Sequence, residues 1–333
     1  MRPVDLWAVP KRALKKHYRI AIHDYCLCCV CPTRLFSGVL ARFILNGKDM
    51  KKTGTRPIIL MFSAVLLLGQ LLIGSAYAIK NGAPDGDEHP YVYWIATWDG
   101  VTQYIYLGTG SLIAPTVVLT AGHITQPPGG IAMAWVSFDP ETEWLIKDGA
   151  MVDPNSLGSI PVVSTHAHTS YRMGGDRGIT NWITHDVGIL ILGEAIVSLP
   201  TAVLPSAGLV DTLRMKQGVD LVGYGVQYQI RGKGIPPSDN WAWIHLGYRY
   251  SATAQLIAGE DVFSDEFMRI TANPAQGKGG TTFGDSGGPI LLAGTNTVLG
   301  VCSWGTNGNC AGVSYEQRID SPDILNWINS FPL

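Results

Sequence analysis

The sequence predicts an all-β fold, and three observations carry that expectation. Glycines number 39 and prolines 20 along 333 residues, which supplies turns at short intervals. Thr, Val, Ile, Trp and Tyr recur in short runs that suit strands. No segment holds a helical period long enough for a bundle. With 46% apolar and only 15% charged side chains, the chain can bury one large core or two modest ones.

The formal net charge of −2 hides two unlike parts. Residues 1–78 carry twelve Lys or Arg against three Asp or Glu, and residues 79–333 carry twelve against twenty-three. A part that acidic is ill suited to nucleic acid, which is gripped by neutralising phosphates. No Walker loop, dinucleotide fingerprint or zinc spacing occurs. Neither cofactor nor metal is expected.

Residues 1–49 are basic and cluster Cys26, Cys28, Cys29 and Cys31. Thiols so close would suit metal binding or palmitoylation. A plainer account begins at Met50. Lys51 and Lys52, an apolar run from Ile58 to Ile73, and Ala76-Tyr77-Ala78 are the three parts of a secretory signal peptide. The expectation is that residues 50–78 are a bacterial-type leader cleaved after Ala78, and that residues 1–49 are an over-extended start. The mature chain would then be secreted or periplasmic, meeting the membrane only in transit. An uncleaved anchor is the alternative, because the run is borderline for a span.

Beyond Ala78 the elements follow in turn. Tyr91, Tyr93 and Ile95 alternate as in a strand with one buried face, and Tyr104–Leu107 and Val117–Leu119 continue the pattern. Turn signals break it at Asp99-Gly100 and Gly108-Thr109-Gly110. His123 follows the small-residue turn Thr120-Ala121-Gly122. Residues 126–184 read as loops. His166 and His168 fall in a solvated stretch, since no acid or cysteine stands near them at ligand spacing. Val187–Leu192 reads as a buried strand with Asp186 at its mouth. A buried carboxylate needs a partner, and an imidazole N–H would serve. Asp176 is the rival, but Gly174, Gly175 and Gly178 around it suggest a turn.

Residues 197–215 join two halves, and Leu221–Val226 opens the second. Trp241/Trp243 and Tyr248/Tyr250 suit a hairpin with one core face. Ser321 as N-cap, Pro322 at the first helical position and Asp323 in the first turn start a terminal helix. Its Ile324, Leu325 and Ile328 are expected to pack on the second half.

The stretch Gly280–Pro289 sets Ser286 among glycines, directly after Asp285 and just ahead of the apolar run Ile290–Leu292. Gly287 and Gly288 let a substrate backbone come close and allow positive φ. Such a loop presents a hydroxyl with backbone N–H groups free beside it, the layout of a nucleophile at an oxyanion hole. An ordinary Gly/Ser turn is the competing reading.

Five motifs now stand in one order: Ile79-Lys80-Asn81-Gly82, Leu119–His123, His185–Leu190, Gly284–Pro289 and Ser303-Trp304-Gly305. Together they resemble the chymotrypsin/trypsin family of serine proteases, over residues 79–333. The resemblance implies a chymotrypsin-like fold of two six-stranded antiparallel β-barrels. The first would span 79–205 and the second 206–320, with a C-terminal α-helix over 321–333. It implies a triad of His123, Asp186 and Ser286, with oxyanion donors on Gly284 and Ser286. The interval of 63 positions from His123 to Asp186 exceeds the family's usual one, and the excess reads as surface insertion.

The family also pairs a freed N-terminal amine, here on Ile79, with the acid before the nucleophile, Asp285. Ala78 rather than a basic residue precedes Ile79, so signal peptidase itself would produce the active form. Lys80 and Asn81 depart from the usual Val-Gly. Gly280 falls at the floor of the family's specificity pocket and Gly305 and Gly312 on its walls, which implies a large apolar residue before the scissile bond. Ser303, Trp304 and Gly305 would pair with substrate as an added strand. Ile124 and Thr282 stand where the family often has cysteine, which leaves Cys302 and Cys310, expected to form a disulfide. The expected protein is a secreted, monomeric serine endopeptidase acting on protein or peptide substrates. An inactive homologue serving as a binding module and a membrane-tethered protease are the alternatives.

Overall fold

A computed structural model describes residues 79–333, apart from 102–104, 128, 142–145, 148–149, 152–158, 173–183, 226–227, 231–241, 245–247, 259–264, 274–275 and 307–309. The Cys26–Cys31 cluster, the leader, Asp176 and Trp241 lie outside the described residues. In chain order the strands begin with β1 (Ala83–Pro84), β2 (Val92–Trp98), β3 (Ile105–Ala114), β4 (Val117–Thr120) and β5 (Met133–Ser137). A short hairpin, β6 (Ile146–Lys147) and β7 (Ala150–Met151), leads to β8 (Ile160–Ala167) and β9 (Gly188–Leu192). The second half holds β10 (Gly218–Gly223), the hairpin β11 (Tyr228–Ile230) and β12 (Ala242–Ile244), β13 (Tyr250–Ala258) and β14 (Phe267–Ala272). It ends with β15 (Pro289–Leu292), β16 (Val298–Gly305) and β17 (Gly312–Arg318). Two helices matter below, α1 (Gly122–Thr125) and α2 (Pro322–Ile328).

Strands β2-β3-β4-β9-β8-β5 close into one antiparallel barrel. Strands β13-β10-β15-β16-β17-β14 form the second, closed by pairing of β13 with β14. Closure removes the open edges that an exposed sheet would present. The expected two-barrel chymotrypsin-like architecture is thus what the chain adopts. Strand β1 precedes the first barrel in sequence yet pairs with β13, at the edge of the second. Ile79 follows the same course and lies fully buried among Val210, Val219, Leu221 and Leu256 of the second core.

The β2 region departs from simple alternation. Every residue from Tyr91 to Ala96 is buried, not only Tyr91, Tyr93 and Ile95. One face fills the barrel, and the second half covers its backbone: Tyr224 Oη and Arg249 Nη1 both donate to the Val92 carbonyl. Arg249, almost wholly buried, also donates from Nε to Asp85 Oδ2 at 2.9 Å and from Nη2 to the Gly86 carbonyl at 2.6 Å. His89 Nδ1 lies 2.6 Å from the other Asp85 oxygen. A buried guanidinium with its donors taken by a carboxylate and carbonyls is a stable arrangement, and it pins the N-terminal segment between the halves.

Two expectations need correction. Helix α2 starts at Pro322 as expected and buries Ile324, Leu325 and Ile328, but Ile324 and Ile328 join a core made mostly of first-barrel residues, with Val222, Leu291, Val298 and Val301 of the second barrel beside them. Trp327 packs edge-on against His168, and Phe331 lies against His166. The expected solvated loop accordingly fails for His168, and for His166 only in that it lies on a strand. His166 sits on β8, and His168 is buried and stacked on His185 with ring centroids 4.9 Å apart. Aromatic neighbours and the helix cover His168, whereas His166 stays exposed at the strand.

Candidate active site

His123 is placed by α1, a single turn that follows β4 after one residue, the N-cap Ala121. Gly122 makes that turn possible, because a Cβ there would meet the Tyr171 ring at 2.7 Å. Asp186 sits at the mouth of β9, after His185 in a positive-φ conformation (φ 50). Its carboxylate is fully buried. Oδ1 accepts the His123 backbone N–H at 2.9 Å, and Oδ2 lies 2.8 Å from His123 Nδ1. A carboxylate only accepts, so Nδ1 carries the proton and Nε2 keeps its lone pair.

The same Oδ2 accepts the Ser303 hydroxyl at 2.6 Å, and the Asp186 N–H donates to Gln317 Oε1 at 2.8 Å. Thus β16 and β17 of the second barrel hold the acid of the first. The pair polarises itself. Burial pushes the Asp186 carboxyl up, but the charge and hydrogen bond of His123, with the Ser303 hydroxyl, hold it below the usual carboxylate range. Burial pushes the imidazole down, yet the Asp186 charge and hydrogen bond outweigh that and leave His123 above its ordinary 6.5.

Ser286 lies in the loop before β15. Gly287 takes φ +80, and any Cβ on it would overlap Thr120 Oγ1 and the Thr109 carbonyl. The loop therefore runs flat against the end of β4, three residues before His123. Thr109 N–H donates to the Ser286 carbonyl at 2.8 Å, and Thr109 Oγ1 to the Gly284 carbonyl at 2.9 Å. On the other side Gly287 and Cys302 exchange bonds through Gly287 N–H to Cys302 O and Cys302 N–H to Gly288 O, both 2.8 Å. With the loop so fixed, the N–H groups of Gly284 and Ser286 donate to no described residue, and neither does the half-buried Ser286 hydroxyl.

Asp285 points the other way, into the second barrel. Its fully buried carboxyl accepts Gly225 N–H at 2.7 Å, Thr282 N–H at 2.8 Å and Thr282 Oγ1 at 2.9 Å. Burial pushes it up to about 7. Among the described residues no cation reaches it. Ile79 is fully buried, and its neighbour Lys80 exchanges both backbone bonds with Gly280, at 2.8 and 3.1 Å.

The residues expected to bind substrate gather at one end of β16 and β17. Gly280 is buried with no room for a side chain, as a Cβ would meet Ala272 Cβ at 2.5 Å. Trp304 stacks on Tyr315 with centroids 4.2 Å apart. Gly305 is exposed, as is Gly312 at φ +90. The expected Cys302–Cys310 disulfide is not formed, and both thiols are free. The Cys302 sulfur is buried on β16 against Thr281 and Glu316, and burial raises its thiol well above the ordinary value. Two further residues escaped the sequence reading. Gln317 orients Asp186 from β17. Glu316, beside it, places a fully buried carboxyl between Thr281 and Ser303.

Comparison with known families decides whose architecture this is. The family profile described as Trypsin matches residues 86–328. The chain belongs to the trypsin family. "Serine protease 1" of Drosophila melanogaster is 24% identical over 231 residues, covering 66% of this chain and 73% of the fly protein. Among solved structures the trypsin-family chain resembles one titled "HL collagenase", with a TM-score of 0.53, 16% identity, and coverage of 76% of this chain and 98% of that one. It also resembles the Vibrio cholerae VesB protease, with a TM-score of 0.50, 19% identity, and coverage of 75% and 66%. These structural likenesses at low identity establish the chymotrypsin-like fold.

Proposed function

We propose that this trypsin-family chain is a secreted serine endopeptidase that cleaves peptide bonds through an acyl-enzyme on Ser286. The observation that carries the reading is the Asp186–His123 pair, whose hydrogen bond at Nδ1 leaves Nε2 with its lone pair and so able to act as a base. In the reaction Ser286 Oγ attacks the peptide carbonyl while its proton passes to His123 Nε2. The carbonyl oxygen, now negative, is met by the N–H groups of Gly284 and Ser286. The imidazolium, steadied by Asp186, gives the proton to the departing amine, and a water molecule repeats the sequence to release the acid.

Secretion rests on the leader over 50–78, and with it a mature N-terminus at Ile79. The buried Asp285 carboxyl, accepting three neutral donors, supports a role for the freed Ile79 amine as its cation. N-terminal sequencing of the protein from culture medium is expected to read Ile-Lys-Asn-Gly. An added glycine ahead of Ile79 is expected to remove most activity by displacing that amine; full activity in the extended form would sink this part of the reading.

Labelling by a fluorophosphonate, which requires an activated serine, tests the protease reading as a whole. The mature chain should label at Ser286. A chain that binds peptides but does not label is a binding module instead.

Because His123 must be neutral to accept the proton, and its environment raises its pKa, activity should follow the imidazole. The acid limb of kcat/KM is expected above pH 6.5, the ordinary imidazole value. A limb well below it would mean that Asp186 does not act on His123.

A further inference from the structure

Arg269 stands on β14 without an acid. Its neighbours Met268 and Ile270 join the core of the second barrel, so by alternation Arg269 lies on the outer face. Its Nε is shut from solvent and has no hydrogen-bond partner, and among the described residues none pairs with the rest of the guanidinium. Nη1 and Nη2 are not enclosed with Nε, so they meet water. Arg249 and Arg318, in the same half, are placed otherwise: the first holds Asp85, and the second Asp211 and Asp320. Residues 79–333 offer twenty-three acids against twelve bases, so the arginine is not alone for want of carboxylates. A part-buried cation with an unmet donor is costly to the fold, and a neutral side chain would fill an outer strand position without that cost.

Strand register ties this charge to the edge that would receive substrate. Arg269 stands opposite Tyr315 of β17, and Tyr315 opposite Trp304 of β16. Directly opposed residues point to the same side of a sheet, so the three form one row across the outer face. Trp304 lies flat on Tyr315, with ring centroids 4.2 Å apart and planes at 3°, and Phe267 meets Trp304 edge-on. Tyr315 and Phe267 are buried beneath, while Trp304 and Arg269 each keep part of their surface exposed. On its other side β16 pairs with β15 only as far as Val301, so at Trp304 and Gly305 no described strand takes up that edge. The Ser303 hydroxyl bonds to Asp186, so a peptide leaving the catalytic centre along this edge passes Trp304 and then Gly305.

Resting on the protease reading, we propose that Arg269 is a carboxylate-binding subsite that selects glutamate upstream of the scissile bond, on the substrate residue whose side chain lies over Trp304. The substrate strand, β16, β17 and β14 then follow one another in a sheet. From the first to the last is three strand spacings, about 14 Å, a span that an extended glutamate and an extended arginine bridge together across the Trp304–Tyr315 stack. The carboxylate accepts from Nη1 and Nη2, the two nitrogens that face water in the free chain. The aromatic floor shields one side of the pair, which makes its charge-assisted bonds stronger than those of an open surface pair. Aspartate, one methylene shorter, does not complete the span.

The test measures kcat/KM of the mature protein on peptides of one sequence that carry Glu, Asp or Gln at a single position, from the second to the fifth residue before the cut. At one of these positions Glu should exceed Gln about tenfold, the strength of one charge-assisted hydrogen bond, with Asp close to Gln. High salt should weaken that preference. Arg269→Gln should bring the Glu/Gln ratio toward one, and Arg269→Glu should turn the preference toward Lys at the same position, which an arginine serving the fold alone would not do. If neither variant folds, product peptides ending at the cut should inhibit the unaltered protein, the Glu form about tenfold more tightly than the Gln form. Equal cleavage of Glu and Gln at every position, a preference that survives Arg269→Gln, or equal inhibition by the two products overturns the assignment. Fluorophosphonate labelling separates the two failures. With Ser286 labelled, only Arg269 is misassigned; with no labelling and no cleavage, the protease reading falls as well.

Discussion

Ser286→Ala is expected to lower kcat about 10⁶-fold while leaving the thermal midpoint unchanged. The fold does not use the hydroxyl, which bonds to no described residue, and the loop is held by backbone contacts to Thr109 and Cys302. No buried partner is orphaned when it goes. Substrate should still bind through β16, so KM should move little while the chemical step fails. The measurement is steady-state cleavage of a peptide by the purified variant beside a melting curve. Retention of more than about a hundredth of the activity would show that some other group attacks the carbonyl.

Asp186→Asn is the second large effect, about 10⁴-fold in kcat. Oδ1 and Oδ2 of the native acid both accept, from His123 N–H on one side and from Nδ1 and the Ser303 hydroxyl on the other. Asparagine keeps one acceptor. If its oxygen stays with the backbone N–H, its amide faces Nδ1 and forces that nitrogen to accept. The proton then moves to Nε2, and the base that should serve Ser286 is gone. The Ser303 hydroxyl can turn to accept from the new amide, so stability should fall far less than rate. Near-native activity in this variant, at an unaltered melting temperature, would remove Asp186 from the mechanism.

Much of this was readable in the chain. The order of the five motifs gave two barrels, and glycine placement marked Gly122 and Gly287, where the structure has no space for a side chain. What stayed hidden depended on pairing. Glu316 carries no mark in the sequence, where a single acid in a short polar run shows nothing of its burial. Only the irregular register between Cys302 and Trp304, where β16 meets β17, brings the Ser303 amide to it. Ser303 was legible as part of a substrate edge but not as a donor to Asp186, because that bond spans 117 positions. The terminal helix showed an apolar face, and an amphipathic pattern says that a face is covered without saying by what. The free thiols have the same origin: two cysteines eight positions apart look like a bridge until a strand turns one sulfur toward Thr281.

The placement of β1 has a bearing on how the chain is made. Its partner strand β13 and the Arg249 that clasps Asp85 leave the ribosome long after it, 164 positions later in the case of the arginine. The segment around β1 must stay unzipped until the part of the chain carrying Arg249 and β13 has emerged. The stitch that joins both halves is therefore the last one sewn.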